Sequence, residues 1–146
     1  MTRRSHIFLS FAGDDTCEAS LLQFAFETLL SSTQTKVWSY KRDQVASVRS
    51  VASSLKGEIQ RSSALIFLAS PSTLKGGAAQ WMELAYADAF EVPIYVLLHR
   101  ISYQKLRLKE RGAPPFLTEG QCTIAEKWRD VATQIMETTA VGRKLK

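Results

Sequence analysis

The stretch ALIFLAS, Ala64 to Ser70, runs through PSTLKGGAAQ, Pro71 to Gln80, into the helical pattern WMELAYADAF, Trp81 to Phe90, and its reading decides the fold. An apolar run without alternation is buried on both faces, as a strand in a parallel sheet covered by helices must be. A strand that feeds a helix places the first turns of that helix at the carboxyl edge of the sheet, where open α/β sheets bind ligands. Glu83, near the start of the helix, is therefore the first side chain to suspect of chemistry.

Working outward, HIFLSF (His6 to Phe11), Val37 to Tyr40 and VPIYVLL (Val92 to Leu98) read as three further short strands. Between them lie helical patterns. Asp15 is expected to cap the first helix with Glu18 in the reciprocal position, and Leu22, Ala25, Phe26, Leu29 and Leu30 recur on one face. Val48, Val51, Ala52, Leu55 and Ile59 repeat the pattern before the third strand; Ile124, Trp128, Val131, Ala132 and Ile135 repeat it near the end. The basic segment Arg100 to Pro115 reads as a short helix and loop, followed by a weak fifth strand around Phe116 and Leu117. Alternating strand and helix predict an α/β, three-layer, flavodoxin-like doubly wound parallel sheet of about five strands, order 2-1-3-4-5. In that order the switch point lies between the first and third strands, so Ser10 to Asp15 and Ser70 to Glu83 should meet in one crevice.

Composition narrows the class. With 146 residues, 45% hydrophobic and 23% charged, the chain is one ordinary globular domain. A domain of this size buries roughly 70% of its unfolded surface and needs neither disulfide nor metal to fold. Cys17 and Cys122 match no ligand spacing and read as reduced thiols. No apolar run approaches the roughly 20 residues of a membrane helix, and the amino terminus turns acidic where a signal peptide would present a cleavage site, so a cytoplasmic protein is expected. The net charge of +5 is spread along the chain without a basic, aromatic-interleaved stripe, which argues against nucleic acid and suits an acidic partner or a phosphate-bearing ligand. His6 and His99 have no nucleophile or ligand partner in sequence.

Four segments together resemble a TIR (Toll/interleukin-1 receptor) domain over nearly the whole chain. HIFLSFAGDD is similar to the family's opening strand and loop; VWSYKRDQ resembles its second strand and the BB loop with an acidic residue, here Asp43. SSLKGEIQRSSALIFLASPSTL resembles the next helix and third strand with the family's Ser-Pro, and WMELAYADAFEVPIYVLL the following helix and fourth strand. The resemblance implies a TIR domain over 1–140, with 141–146 a polar tail or the start of a linker. TIR domains divide into scaffolds that signal by homotypic assembly and enzymes that cleave NAD at the nicotinamide glycosidic bond, in bacterial proteins as anti-phage effectors. In the enzymatic class a glutamate on the helix after the third strand is catalytic, and Glu83 matches it. Two features depart from the family: Ala79 stands where enzymatic members have Trp, with Trp81 two positions before the glutamate, and Asp43 is followed by Gln44 rather than glycine.

The chemistry is consistent with the residues. Loss of nicotinamide passes through an oxocarbenium-like species that one carboxylate can stabilise, and the pyridinium leaving group needs no general acid. A glutamate in the first two turns of a helix also feels the positive macrodipole end, which favours its ionised form. No G-x-G-x-x-G follows a strand, so NAD would be bound as substrate, without a resident cofactor, by other means. Ser10, Phe11, Ala12 and Gly13 could approach a pyrophosphate or ribose, and Trp38, Lys41, Arg42 and Asp43 could supply stacking and phosphate contacts at the rim. Trp81 is the remaining stacking candidate. Phe11, Trp38 and Trp81 read equally as packing residues, and Glu83 as a solvated helix carboxylate. Expected partners are NAD(P), other TIR domains in a self-assembly or filament, and a sensor domain fused or in trans. The alternatives are a non-catalytic TIR scaffold and a different flavodoxin-like module such as a nucleoside transferase.

Overall fold

The computed structural model describes residues 6–33, 35–39, 51–76, 78–107 and 117–144. Strands β1 (His6–Ser10), β2 (Lys36–Ser39), β3 (Ser62–Ala69), β4 (Ile94–Leu98) and β5 (Cys122–Ile124) form one parallel sheet, ordered β2-β1-β3-β4-β5 as expected. Helices α1 (Thr16–Leu29), α2 (Val51–Arg61), α3 (Pro71–Gly76), α4 (Ala78–Ala89), α5 (Tyr103–Arg107) and α6 (Trp128–Lys144) surround it.

Alternation within the central strands sorts the core into two layers. Ile7 and Leu9 of β1, Ala64, Ile66 and Leu68 of β3 and Leu97 of β4 face Ala19, Phe26 and Leu30 from α1 and its end and Val131, Ala132 and Ile135 from α6. The intervening residues Phe8, Leu65, Phe67, Ala69, Ile94 and Val96 face Leu55 and Ile59 of α2, Leu84 and Ala87 of α4 and Leu106 of α5. Both faces are therefore dry, which explains why ALIFLAS carries no polar alternation. Gln23 is the polar exception on the inner face of α1: its amide donates to the Val37 carbonyl at 2.6 Å and accepts from the Ser39 hydroxyl at 3.2 Å, tying the helix to β2.

Four local readings are corrected. The fifth strand lies at Cys122–Ile124, where Cys122, Thr123 and Ile124 register with Val96, Leu97 and Leu98. Leu117 is buried against the α2/α4 layer without being a strand, and Phe116 lies outside the described residues. A capping box sets the true start: Gln121 accepts from the Thr118 backbone amide at 2.7 Å and turns the chain into β5. Ile124 accordingly ends an edge strand, 49% exposed, instead of opening the last helical face. Asp15 precedes α1 but its side chain makes no capping bond; its carboxylate is used across the sheet edge. Leu29 is 40% exposed, so the buried stripe of α1 runs through Ala19, Gln23 and Phe26 to Leu30 just beyond it. Val48 and Tyr40 lie outside the described residues, and α6 continues across position 140 to Lys144. Among the described residues no helix is long and apolar enough to cross a membrane.

The two-sided burial of β3 yields a contrast in stability. Ile66→Ala, at a fully buried position, should cost about 2–5 kcal/mol, whereas Ile124→Thr on the edge strand should stay within about 0.5 kcal/mol of wild type. Urea unfolding followed by circular dichroism measures both.

Candidate active site

The crevice forms where the chain leaves adjacent strands in opposite directions. From Ser10, the last residue of β1, it turns through a 3-10 turn (Gly13–Asp15) into α1 on one face; from β3 it passes through Ser70 and α3 into α4 on the other. The last registered pair of the two strands is Ser10 with Phe67. Six buried polar side chains collect at this edge: Ser10, Asp15, Ser70, Thr73, Gln80 and Glu83.

Two hydrogen bonds cross the switch point in opposite senses. The Ser10 hydroxyl of β1 donates to Glu83 Oε1 on α4 at 2.7 Å. The Ser70 hydroxyl after β3 donates to Asp15 Oδ2 after β1 at 2.5 Å, and accepts from the Ser72 amide at 3.1 Å. The Thr73 hydroxyl accepts from the Ser70 amide at 3.1 Å, closing the turn that carries Ser70. Gln80, one turn before Glu83 on the same face, donates its amide to the Leu68 carbonyl at 2.9 Å and the Ser10 carbonyl at 3.3 Å. Each carboxylate is thus held by a serine from the other half of the crevice.

Glu83 is 6% exposed. Burial pushes its carboxyl up to about 7, against the Ser10 hydroxyl, which favours the ionised form and pulls the other way. Desolvation outweighs the helix-end preference for charge expected from its position in α4. A carboxyl poised near neutrality, bonded to a strand end in a sheet-edge crevice, can stabilise an adjacent cation or exchange a proton.

The other sequence candidates separate. Ser10 is in the site, with its hydroxyl committed to Glu83. Phe11 is half-buried against the α1/α6 layer, and Ala12 is buried with its carbonyl accepting from the Asp15 amide at 2.9 Å. Gly13 is exposed with open space where a Cβ would stand, so its backbone does not require glycine. Trp38 stacks on Phe8 with ring centres 5.0 Å apart, and Trp81 tilts against Phe67 at 5.2 Å. Both tryptophans are half-buried and pack on the α2/α4 layer, the packing alternative weighed for each. Lys41, Arg42 and Asp43 lie outside the described residues. Sequence reasoning passed over Ser70, Thr73 and Gln80 as site residues and read Asp15 as a cap. The Ser-x-x-Thr spacing after β3 and the i, i+3 relation of Gln80 to Glu83 were the available signals.

No protein-family model matches the chain, and no curated protein does. Solved structures do. A 2-desoxiribosyltransferase from Leishmania mexicana superposes with a TM-score of 0.63 at 12% identity, over 90% of this chain and 97% of that one. A metazoan TIR-STING receptor from C. gigas matches with a TM-score of 0.64 at 18% identity; 92% of this chain is covered, which spans 41% of the receptor chain. The TIR domains of the activated Roq1 resistosome, which directly recognizes the pathogen effector XopQ, match at 0.52 and 16% identity, over 89% of this chain and 82% of that one. The fold is TIR-like, which bears out the resemblance read in the sequence at the level of architecture.

The Ser10 bond has a measurable sign. In Ser10→Ala the ionised form of Glu83 loses a charge-assisted donor worth about 1.5–3 kcal/mol, so the carboxyl should titrate about one unit or more higher than in wild type. A carbon-13 titration of the Glu83 carboxyl checks it.

Proposed function

We propose that this chain is a TIR-type NAD glycohydrolase domain in which the ionised Glu83 carboxylate faces the nicotinamide ribose. The observation that carries the reading is Glu83 itself: buried, held by Ser10, and standing at the switch point rather than on a solvated helix face. The likeness to TIR domains and to an enzyme named for transfer of a 2-deoxyribosyl group supports chemistry at a sugar's anomeric carbon in this fold.

In the proposed reaction the bond between ribose C1′ and the pyridinium nitrogen breaks with its electron pair going to nicotinamide, which leaves neutral. Positive charge builds on the ribose, the carboxylate offsets it, and water adds to C1′ while releasing a proton to solvent. Serving as an electrostatic partner demands the ionised form. The kcat/KM for NAD, which reports the free protein, should therefore rise as pH climbs through about 7, where burial has placed the group, while kcat keeps a lower limb.

The biological setting is part of the same proposal: a cytoplasmic effector that acts when copies assemble, with NAD depletion or an ADP-ribose-derived signal as its output in anti-phage defence, under the control of a sensor domain. A second reading, a non-catalytic scaffold working by homotypic TIR assembly, is favoured by one feature. Leu21 and Phe24 stand on α1 at 67% and 72% exposure, one turn apart, where a second copy could cover them.

Two measurements test the enzymatic reading. Concentrated protein should release nicotinamide from NAD, followed by liquid chromatography, and Glu83→Gln should lower that release by about 100-fold or more; no turnover in wild type at any protein concentration would leave the scaffold. Stability gives a check independent of turnover. Because the folded pKa lies above the unfolded one, the contribution of Glu83 is fully present below about 4.5 and is lost as pH rises through about 7. Glu83→Gln should thus stabilise the fold at pH 8 by up to about 3 kcal/mol of removed ionisation penalty, read as a higher melting temperature, and change it little at pH 4.

A further inference from the structure

Gln80 is 1% exposed, and its side-chain oxygen is buried with no hydrogen-bond partner among the described residues. The orientation of its amide is forced. The nitrogen lies 2.9 Å from the Leu68 carbonyl and 3.3 Å from the Ser10 carbonyl, so a flipped amide would point an acceptor at two acceptors. At a position this buried, a leucine or methionine would pack without leaving an unpaired acceptor. The amide is kept for what its nitrogen does, at the expense of its oxygen.

That nitrogen closes two backbone carbonyls on neighbouring strands at the end of the β1–β3 ladder. Ser10 consequently grips α4 twice: its carbonyl accepts from Gln80 and its hydroxyl donates to Glu83, one turn further along the same face. We propose that Gln80 is a positioning residue for Glu83, clamping the first turns of α4 against the ends of both central strands so that the carboxylate stays out of water. The inference rests on the reading of Glu83 as the working carboxylate.

The neighbourhood leaves burial as what the clamp controls. Asp14 and Asp15 lie on the turn after β1, and the Asp15 carboxylate is bonded to Ser70. On α2, which packs against α4, Lys56 lies over the rings of Tyr86 and Phe90, and Glu58 is paired with Arg61 and His6. On α4 and just beyond it, Asp88 and Glu91 are exposed. Among the described residues none of these groups pairs with Glu83, whose raised pKa comes from desolvation opposed by Ser10. Releasing the clamp should admit water and lower the titration midpoint of Glu83 toward the ordinary carboxylate range.

The test is a carbon-13 carboxyl titration of the full 146-residue chain, with the Glu83 resonance assigned by its loss in Glu83→Gln, in wild type, Gln80→Met and Gln80→Asn. Methionine keeps the volume without the donor; asparagine keeps the amide but falls one methylene short of the two carbonyls. In each variant that melts cooperatively, the Glu83 midpoint should fall by about one unit or more, and any pH limb of nicotinamide release should move with it. A midpoint that stays in place or rises overturns the proposal, as does the failure of both variants to fold, which would make Gln80 a folding residue only. Because the titration needs no turnover, an inactive wild type would count against the glycohydrolase reading and leave this result standing.

Discussion

A carboxylate taken out of water has to be held by something, and here it is held by a serine 73 positions away: the Ser10 hydroxyl, 2.7 Å from Glu83 Oε1. Everything distinctive about the crevice follows from that contact. It exists because β1 and β3 are neighbours in a parallel sheet whose chain leaves them toward opposite faces, so the end of one strand and the helix after the other converge. It matters because burial and hydrogen bonding act on Glu83 in opposite directions, and burial prevails. Exposed on a helix surface, the same glutamate would be an ordinary anion with no claim to chemistry.

The Asp15–Ser70 bond is the counterpart that keeps the crevice in register. Ser10 belongs to β1 and serves the helix after β3; Ser70 follows β3 and serves the turn after β1. A buried carboxylate left with no donor would bear its full desolvation cost, so each half of the crevice depends on the other being in place. Such reciprocity makes the polar cluster a device for fixing geometry, because a shift of either loop uncouples both pairs. Gln80, bridging the two strand ends from α4, adds a third tie at the same point.

What was legible in the sequence was whatever periodicity governs. Two-sided apolar runs at β3 and β4 dictated a covered parallel sheet, and the alternation of strand with helix dictated its order, from which the meeting of the Ser10 and Glu83 segments followed. The short edge strand β5 was misplaced because an edge strand is half wet and Cys-Thr-Ile has too few residues to show a period, while apolar Leu117 imitated a strand by being buried in a loop. Asp15 was misread because local capping rules rank an aspartate before a helix as a cap, and only the tertiary fold brings Ser70 near enough to compete. Gln80 offered only its i, i+3 relation to Glu83: its bonds go to two backbone carbonyls whose positions are set by strand divergence. Glu83 was singled out because family resemblance and topology pointed to the same residue.

A raised pKa in a group proposed to act as an anion looks like a handicap until the substrate's charge is counted. Moving the carboxyl from 4.5 to about 7 corresponds to roughly 3 kcal/mol against ionisation. On the proposed reading the nicotinamide ring arrives as a cation, and a unit positive charge about 4 Å from the carboxylate at an effective dielectric near 20 contributes about 4 kcal/mol in the other direction. The substrate would therefore ionise the group that acts on it. In the free protein the burial cost is borne by the fold and offset in part by the Ser10 bond; in the proposed complex it is offset by the ligand. When nicotinamide then departs neutral, its positive charge passes to the ribose, beside the same carboxylate. A site arranged this way recovers the cost of ionising Glu83 from a substrate that arrives as a cation, an offset that a neutral sugar would not bring on binding.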